Sequence, residues 1–172
     1  MELILVRHAP AEGRDPHRWP NDAERPLTED GREVAASIGL GFRALGVRPA
    51  RAVTSPALRC RDTARLTLKA LGAELRPDPW EELTYSVGPE RLLARLAEEP
   101  TTDAGPHLLF GHEPSLGRFA TLLLFGESVA TLRLKRGGAA AIETPRRPRP
   151  GSGRLQWVLT RRQLVALGAR PR

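Results

Sequence analysis

The stretch Leu3-Ile4-Leu5-Val6-Arg7-His8 sets four consecutive apolar residues directly against an arginine and a histidine. Such an unbroken run, too short for a helix, reads as a central strand buried on both faces. The same pattern recurs at His107-Leu108-Leu109-Phe110, which runs through Gly111-His112-Glu113 into a helix expected from Pro114 to about Leu124. A shorter strand is expected at Ala50-Arg51-Ala52-Val53-Thr54. Ser55-Pro56 then reads as a helix start, with Ser55 as N-cap and Pro56 at the first helical position.

Between these strands lie helical patterns. Thr28-Glu29-Asp30 opens one, with Val34, Ile38, Phe42 and Leu45 on an apolar face and Gly46 near its end. Pro77-Asp78-Pro79 breaks the chain, and Pro89 to Glu98 follows as a helix with Leu92, Leu93, Leu96 and Ala97 inward. From Ala130 the pattern turns to strands, at Thr131 to Leu134, Gly138 to Glu143 and Leu155 to Thr160. Thr144 to Gly153 is a loop, and Gln163 to Leu167 a closing helix. Alternating strands and helices with a β-rich end predict a three-layer α/β/α fold, its sheet mostly parallel with helices on both faces. A single domain over residues 1–172 is expected, since the length suits one core. In such sheets chemistry gathers at the carboxyl ends of strands. Arg7-His8, Ser55 with Arg59, and His112 all follow strands, so two histidines and two arginines converge on one edge.

Composition narrows the classes. Charged residues are 27% of the chain, and with a mean hydropathy of -0.35 and no long apolar run a membrane span is excluded. The first apolar run lacks a basic region before it and a cleavage site after it, so a cytoplasmic chain is expected. Cys60 is the only cysteine, which rules out internal disulfides and multi-cysteine metal sites. Net charge is +7, and 25 of the 27 basic residues are arginine. Arginine grips phosphate with a planar fork, so the charge suits nucleic acid or phosphorylated substrates alike. Arg146-Arg147-Pro148-Arg149 has no neighbouring aromatic residue for base stacking, and a solvated hairpin loop is the plainer reading. Gly39-Leu40-Gly41-Phe42-Arg43-Ala44 fits a dinucleotide fingerprint as a string, yet it lies inside a helical pattern with no strand before it.

The convergent residues suit phosphoryl transfer, whose transition state is held mainly by positioning and charge. Arg7 and Arg59 can each fork two oxygens. A neutral imidazole can attack phosphorus, and neighbouring guanidinium groups favour that neutral form. The second imidazole, if protonated, donates to an oxygen. Cys60 sits beside Arg59 and Arg61, which would lower its pKa. His17 and His107 read as structural. No metal or other cofactor is needed.

Val6-Arg7-His8-Ala9 resembles the signature of the histidine phosphatase (phosphoglycerate-mutase-like) superfamily. The resemblance continues through Asp22-Ala23-Glu24-Arg25-Pro26-Leu27-Thr28, Ser55-Pro56-Ala57-Leu58-Arg59-Cys60-Arg61-Asp62-Thr63-Ala64 and Gly111-His112-Glu113-Pro114. Gly137-Gly138-Ala139 and Leu155 to Thr160 resemble the SixA branch of phosphohistidine phosphatases. The resemblance implies His8 as nucleophile, Arg7, Arg59 and His112 on the phosphoryl oxygens, and Arg25 as an accessory phosphate ligand unless a salt bridge to Asp22 or Glu29 claims it. Ser55 is a further candidate for substrate binding. Many phosphomonoesterases of the superfamily carry an acid after the second helix. Glu81 and Glu82 are the candidates here, although the SixA branch manages without one. The expected activity is a phosphatase acting on protein phosphohistidine, with no nucleic acid or membrane partner. The rivals are a small phosphomonoesterase for sugar or nucleotide phosphates, and a basic nucleic-acid-binding protein with a degenerate site.

Overall fold

The computed structural model describes residues 1–99, 104–127 and 132–169. In chain order the strands are β1 (Glu2–Arg7), β2 (Arg51–Thr54), β3 (Asp78–Pro79), β4 (His107–Gly111), β5 (Ala139–Glu143) and β6 (Arg154–Leu159). The helices are α1 (Glu29–Ala44), α2 (Leu58–Leu71), α3 (Pro89–Glu98), α4 (Ser115–Phe125) and α5 (Arg161–Gly168). Among the described residues the strands form one sheet in the order β3-β2-β4-β1-β5-β6. The first four positions of that order pair in parallel, while β5 runs antiparallel to both β1 and β6.

Period-two alternation along β1 divides its side chains between two cores. Ile4 and Val6 pack with Val34, Ile38, Phe42 and Leu68 under α1, α2 and α5. Leu3 and Leu5 pack with Leu93, Leu96, Phe119 and Leu123 under α3 and α4. Helices therefore cover both faces, as the sequence pattern predicts. Gly39, in the glycine-rich string of α1, has a packing role. A Cβ there would lie 2.2 Å from the Thr67 carbonyl oxygen, so the residue lets α1 close on α2. No helix among the described residues is long and apolar enough to cross a membrane.

Several expectations are corrected. Helix α2 begins at Leu58 with Ala57 as an N-cap that makes no side-chain bond, so Ser55 is not its cap. Leu45 is 42% exposed, because it lies past the last turn of α1 as C-cap rather than on the apolar face. Pro77-Asp78-Pro79 does more than break the chain: Asp78 and Pro79 pair with β2 as an edge strand, where a proline's missing N–H is tolerated. Within the expected strand Thr131–Leu134, Thr131 lies outside the described residues and Leu132–Leu134 is irregular. Its polar backbone is used elsewhere. Leu134 N–H donates to the Glu113 carboxylate at 2.8 Å, and its carbonyl accepts from Arg7.

Candidate active site

Register brings three strand ends level. Arg7 pairs with Gly111 and Thr54 with Phe110, so His8, Ser55 and His112 leave the sheet side by side. Backbone bonds continue the ladder for one more residue: His8 N–H donates to Gly111 O at 3.0 Å, and Ser55 N–H to Phe110 O at 2.8 Å. The His8 and His112 rings meet edge to face, with centroids 5.3 Å apart. Both are buried, at 6% and 3% exposure.

His8 Nδ1 lies 2.8 Å from the Ala9 carbonyl oxygen. A carbonyl only accepts, so Nδ1 carries the proton and Nε2 keeps its lone pair. Burial pushes the His8 pKa down to about 4; the Ala9 bond opposes this, and the charges of Arg59, Arg7 and Arg136 add to it. His112 falls further, to about 3, through burial and then the Arg59 charge. His112 is therefore neutral in the free site near pH 7, so the condition that it be protonated is not met there. Its Nε2 is 2.9 Å from Ser55 Oγ, which does not cap α2.

The arginines enter from two sides. Arg7 Nη1 donates to Leu134 O at 2.7 Å, and the backbone of Arg7 and His8 is gripped by the following turn. Gly137 N–H donates to the carbonyls of both residues, at 3.2 and 3.1 Å. Arg59, 3% exposed in the first turn of α2, donates to the Asp22 carbonyl at 2.7 Å and the Asp22 carboxylate at 3.0 Å. Arg25 takes the other carboxylate oxygen at 2.9 Å. Burial would raise the Asp22 pKa, but the bond from Arg25 and the Arg59 charge overcome it and hold it low. Arg25 is thus a salt-bridge partner of Asp22 in the free site. The Nε–H groups of both Arg7 and Arg59 are buried without an acceptor. Two buried charged donors left unsatisfied are costly unless an anion meets them. Behind them Thr63 Oγ1 donates to Arg59 O at 2.6 Å and accepts from Ala9 N–H at 3.1 Å, tying the strand end to the helix.

Other candidates stand apart. Glu81 and Glu82 form a short 3-10 turn; Glu81 is exposed, Glu82 half-buried, and among the described residues neither carboxylate pairs with a site residue. Tyr85, which the pattern did not flag, is 60% exposed and meets the His112 ring edge to face at 6.1 Å. Cys60 corrects an expectation. It is fully buried with its Sγ 3.4 Å from His112 Nε2, and burial pushes its thiol up to about 12 despite Arg59. His17 lies in an exposed turn, and His107 is buried at the start of β4, away from the site end.

The family profile for the histidine phosphatase superfamily (branch 1) matches residues 3–103. An uncharacterized protein of Picosynechococcus sp. strain PCC 7002 is 32% identical over 160 residues, covering 91% of this chain and 89% of that protein. Among solved structures, the protein histidine phosphatase SixA complexed with tungstate shares the fold at a TM-score of 0.77 and 23% identity, over 95% of this chain and 99% of its own. A mycobacterial glucosyl-3-phosphoglycerate phosphatase complexed with VO3 gives a TM-score of 0.64 at 18% identity, over 92% and 99%.

Proposed function

The chain belongs to the histidine phosphatase superfamily, and from that premise we propose that it is a phosphatase working through a phosphoryl group carried on His8, with protein-borne phosphohistidine as its preferred substrate. One observation carries the chemistry. The Nδ1–H to Ala9 bond leaves His8 Nε2 as a bare lone pair, and the two arginines whose charges act on that ring, Arg7 and Arg59, each keep a buried Nε–H without an acceptor.

In the first step His8 Nε2 attacks phosphorus in line, a new N–P bond forms, and the substrate's bond to phosphorus breaks. Charge on the equatorial oxygens meets the free N–H groups of Arg7 and Arg59 and one N–H of neutral His112. In the second step water attacks phospho-His8, an O–P bond forms, the N–P bond breaks and phosphate leaves. Fixed guanidinium charge does the electrostatic work, so chelators should leave the rate unchanged.

Two observations support a phosphohistidine substrate. Among the described residues the connection from α2 to β4 carries β3, a 3-10 turn and α3, and Tyr85, which meets the His112 ring, is 60% exposed, so a bulky protein can approach from that side. No acid contacts the site from Glu81 or Glu82, and a phosphorylated imidazole leaves as a neutral ring once its other nitrogen is protonated.

A trapping experiment tests the mechanism. Quenched enzyme should carry an acid-labile, alkali-stable phosphoryl group on His8, and His8→Ala should abolish turnover. Single replacement of Arg7, Arg59 or His112 should cost about 10²–10³-fold. A label that survives acid, or sits on Cys60 or a carboxylate, contradicts the mechanism. Parallel assays on a phosphohistidine protein, para-nitrophenyl phosphate and sugar phosphates test the substrate, and a preference for sugar phosphates would replace it with the small phosphomonoesterase reading.

A further inference from the structure

Positive charge gathers at both ends of the β5–β6 hairpin, and the two clusters are not equivalent. The connecting loop carries Arg146, Arg147 and Arg149, all exposed. Glu143 of β5 lies opposite Glu2 of β1, so this loop sits at the far end of the sheet from Arg7. The second cluster is at the near end. There the Lys135–Gly138 turn enters β5 beside Val6, and α5 leaves β6 where Leu159 pairs with Ala139. Lys135, Arg136, Arg161 and Arg162 line one groove of about 1030 Å³, together with Pro10, two residues beyond His8.

The turn that supplies Lys135 and Arg136 to the groove is tied to the strand end bearing His8, since Gly137 N–H holds the carbonyls of Arg7 and His8 and the Arg136 charge is felt at the His8 ring. The one carboxylate that lines it among the described residues, Asp30, is engaged by Arg161 at 3.3 Å. Lys135, Arg136 and Arg162 are exposed, and among the described residues none of them has a carboxylate partner within ion-pair distance. Like charges crowded without counter-charge repel one another, and an anionic partner relieves that repulsion. No aromatic residue lines the groove, so bases would find nothing to stack on. Separate carboxylate side chains suit a fork-shaped donor set of this kind.

We propose that this groove docks acidic residues flanking the phosphorylated histidine of a protein substrate and so sets which phosphoproteins reach His8. The proposal rests on the phosphohistidine reading above.

The test uses two synthetic phosphohistidine peptides of one sequence, with four flanking glutamates or four flanking glutamines, and para-nitrophenyl phosphate as a small substrate. Wild-type kcat/KM should be about tenfold higher on the glutamate peptide at low salt, with the gap closing by about 0.5 M salt. The variant Lys135→Gln/Arg162→Gln should lose the gap while its rates on the glutamine peptide and the small substrate stay within about twofold. Arg147→Gln/Arg149→Gln removes the same net charge at the far end and should keep the gap. Equal wild-type rates on both peptides overturn the proposal, as does a gap that survives at Lys135/Arg162 or disappears with the far-end pair. Stronger competition by a single-stranded oligonucleotide than by the unphosphorylated glutamate peptide also overturns it. Turnover of the small substrate with neither peptide hydrolysed is a distinct pattern, and it removes the phosphohistidine reading itself.

Discussion

For the proposed attack on phosphorus the imidazole at position 8 has to be neutral and oriented, and separate contacts meet these two demands. Burial and the flanking guanidinium groups keep it neutral, and the Ala9 carbonyl turns Nε2 outward. The His112 ring packs edge to face against the His8 ring. The leaving group is the remaining question at this scale. An alkoxide needs a proton in the transition state, whereas an imidazole protonated on its far nitrogen does not. Glu81→Gln and Glu82→Gln should therefore each change phosphohistidine hydrolysis by less than about tenfold. A loss of roughly 10²-fold on sugar phosphates from either change would mark that residue as a general acid and the protein as a phosphomonoesterase. The reactive residues were legible in the sequence because each directly follows a strand or opens the next helix. Asp22 stood out there as part of a motif and as a salt-bridge partner for Arg25, not for Arg59. Its grip on Arg59 spans 37 positions, and no local spacing encodes a contact of that range.

At the scale of elements, the turn before β5 is the part on which the site geometry depends most. Gly137 has φ +73°, and a Cβ there would lie 2.8 Å from Val34 Cγ1 and 3.3 Å from Arg161 Cβ. Gly46, after α1, has nearly the same φ, +74°, and a Cβ added there would meet nothing within 4 Å. The pair separates backbone strain from crowding. Gly46→Ala should lower stability by about 1 kcal/mol and leave kcat unchanged. Gly137→Ala adds the clash, and should cost about 2–3 kcal/mol in urea unfolding and reduce kcat, since it displaces the N–H that holds Arg7 and His8. Capping rules assigned Ser55 to a helix start, but tertiary bonding to His112 claimed it and the helix began later, at Leu58. The Leu132–Leu134 segment has strand-like residues, yet its backbone serves Arg7 and Glu113 instead of a neighbouring strand.

For the whole molecule, the buried histidines make stability depend on pH: the pKa of His107 is lowered by burial, and those of His8 and His112 are lowered more strongly. The latter two fall from 6.5 to about 4 and about 3 on folding, so between pH 6.5 and 5 the unfolded chain binds more protons than the folded one. Their contribution is complete above pH 6.5 and is lost as pH falls toward the folded values. Glu113 and Glu2, both raised by burial, pull the opposite way. Between pH 6.5 and 5 His8 and His112 contribute at most about 2 kcal/mol each, so Tm should fall by about 5–10 °C from pH 7 to 5. A His8→Gln/His112→Gln variant should lose most of that slope; an unchanged slope would place the titrating groups elsewhere. The layered architecture could be read from the apolar periodicity, because each helix needs one face of the sheet. The antiparallel insertion of β5 beside β1 could not, since strand order depends on long-range pairing rather than local pattern. Cys60 carries a last consequence at this scale. The chain's only sulfhydryl is buried on the inner side of the first turn of α2, against His112, and burial favours its protonated form, which denies peroxide and disulfide reagents a thiolate to attack. The native protein should therefore need no reductant in its buffer and should stay free of disulfide-linked dimers in air, as a non-reducing gel would show.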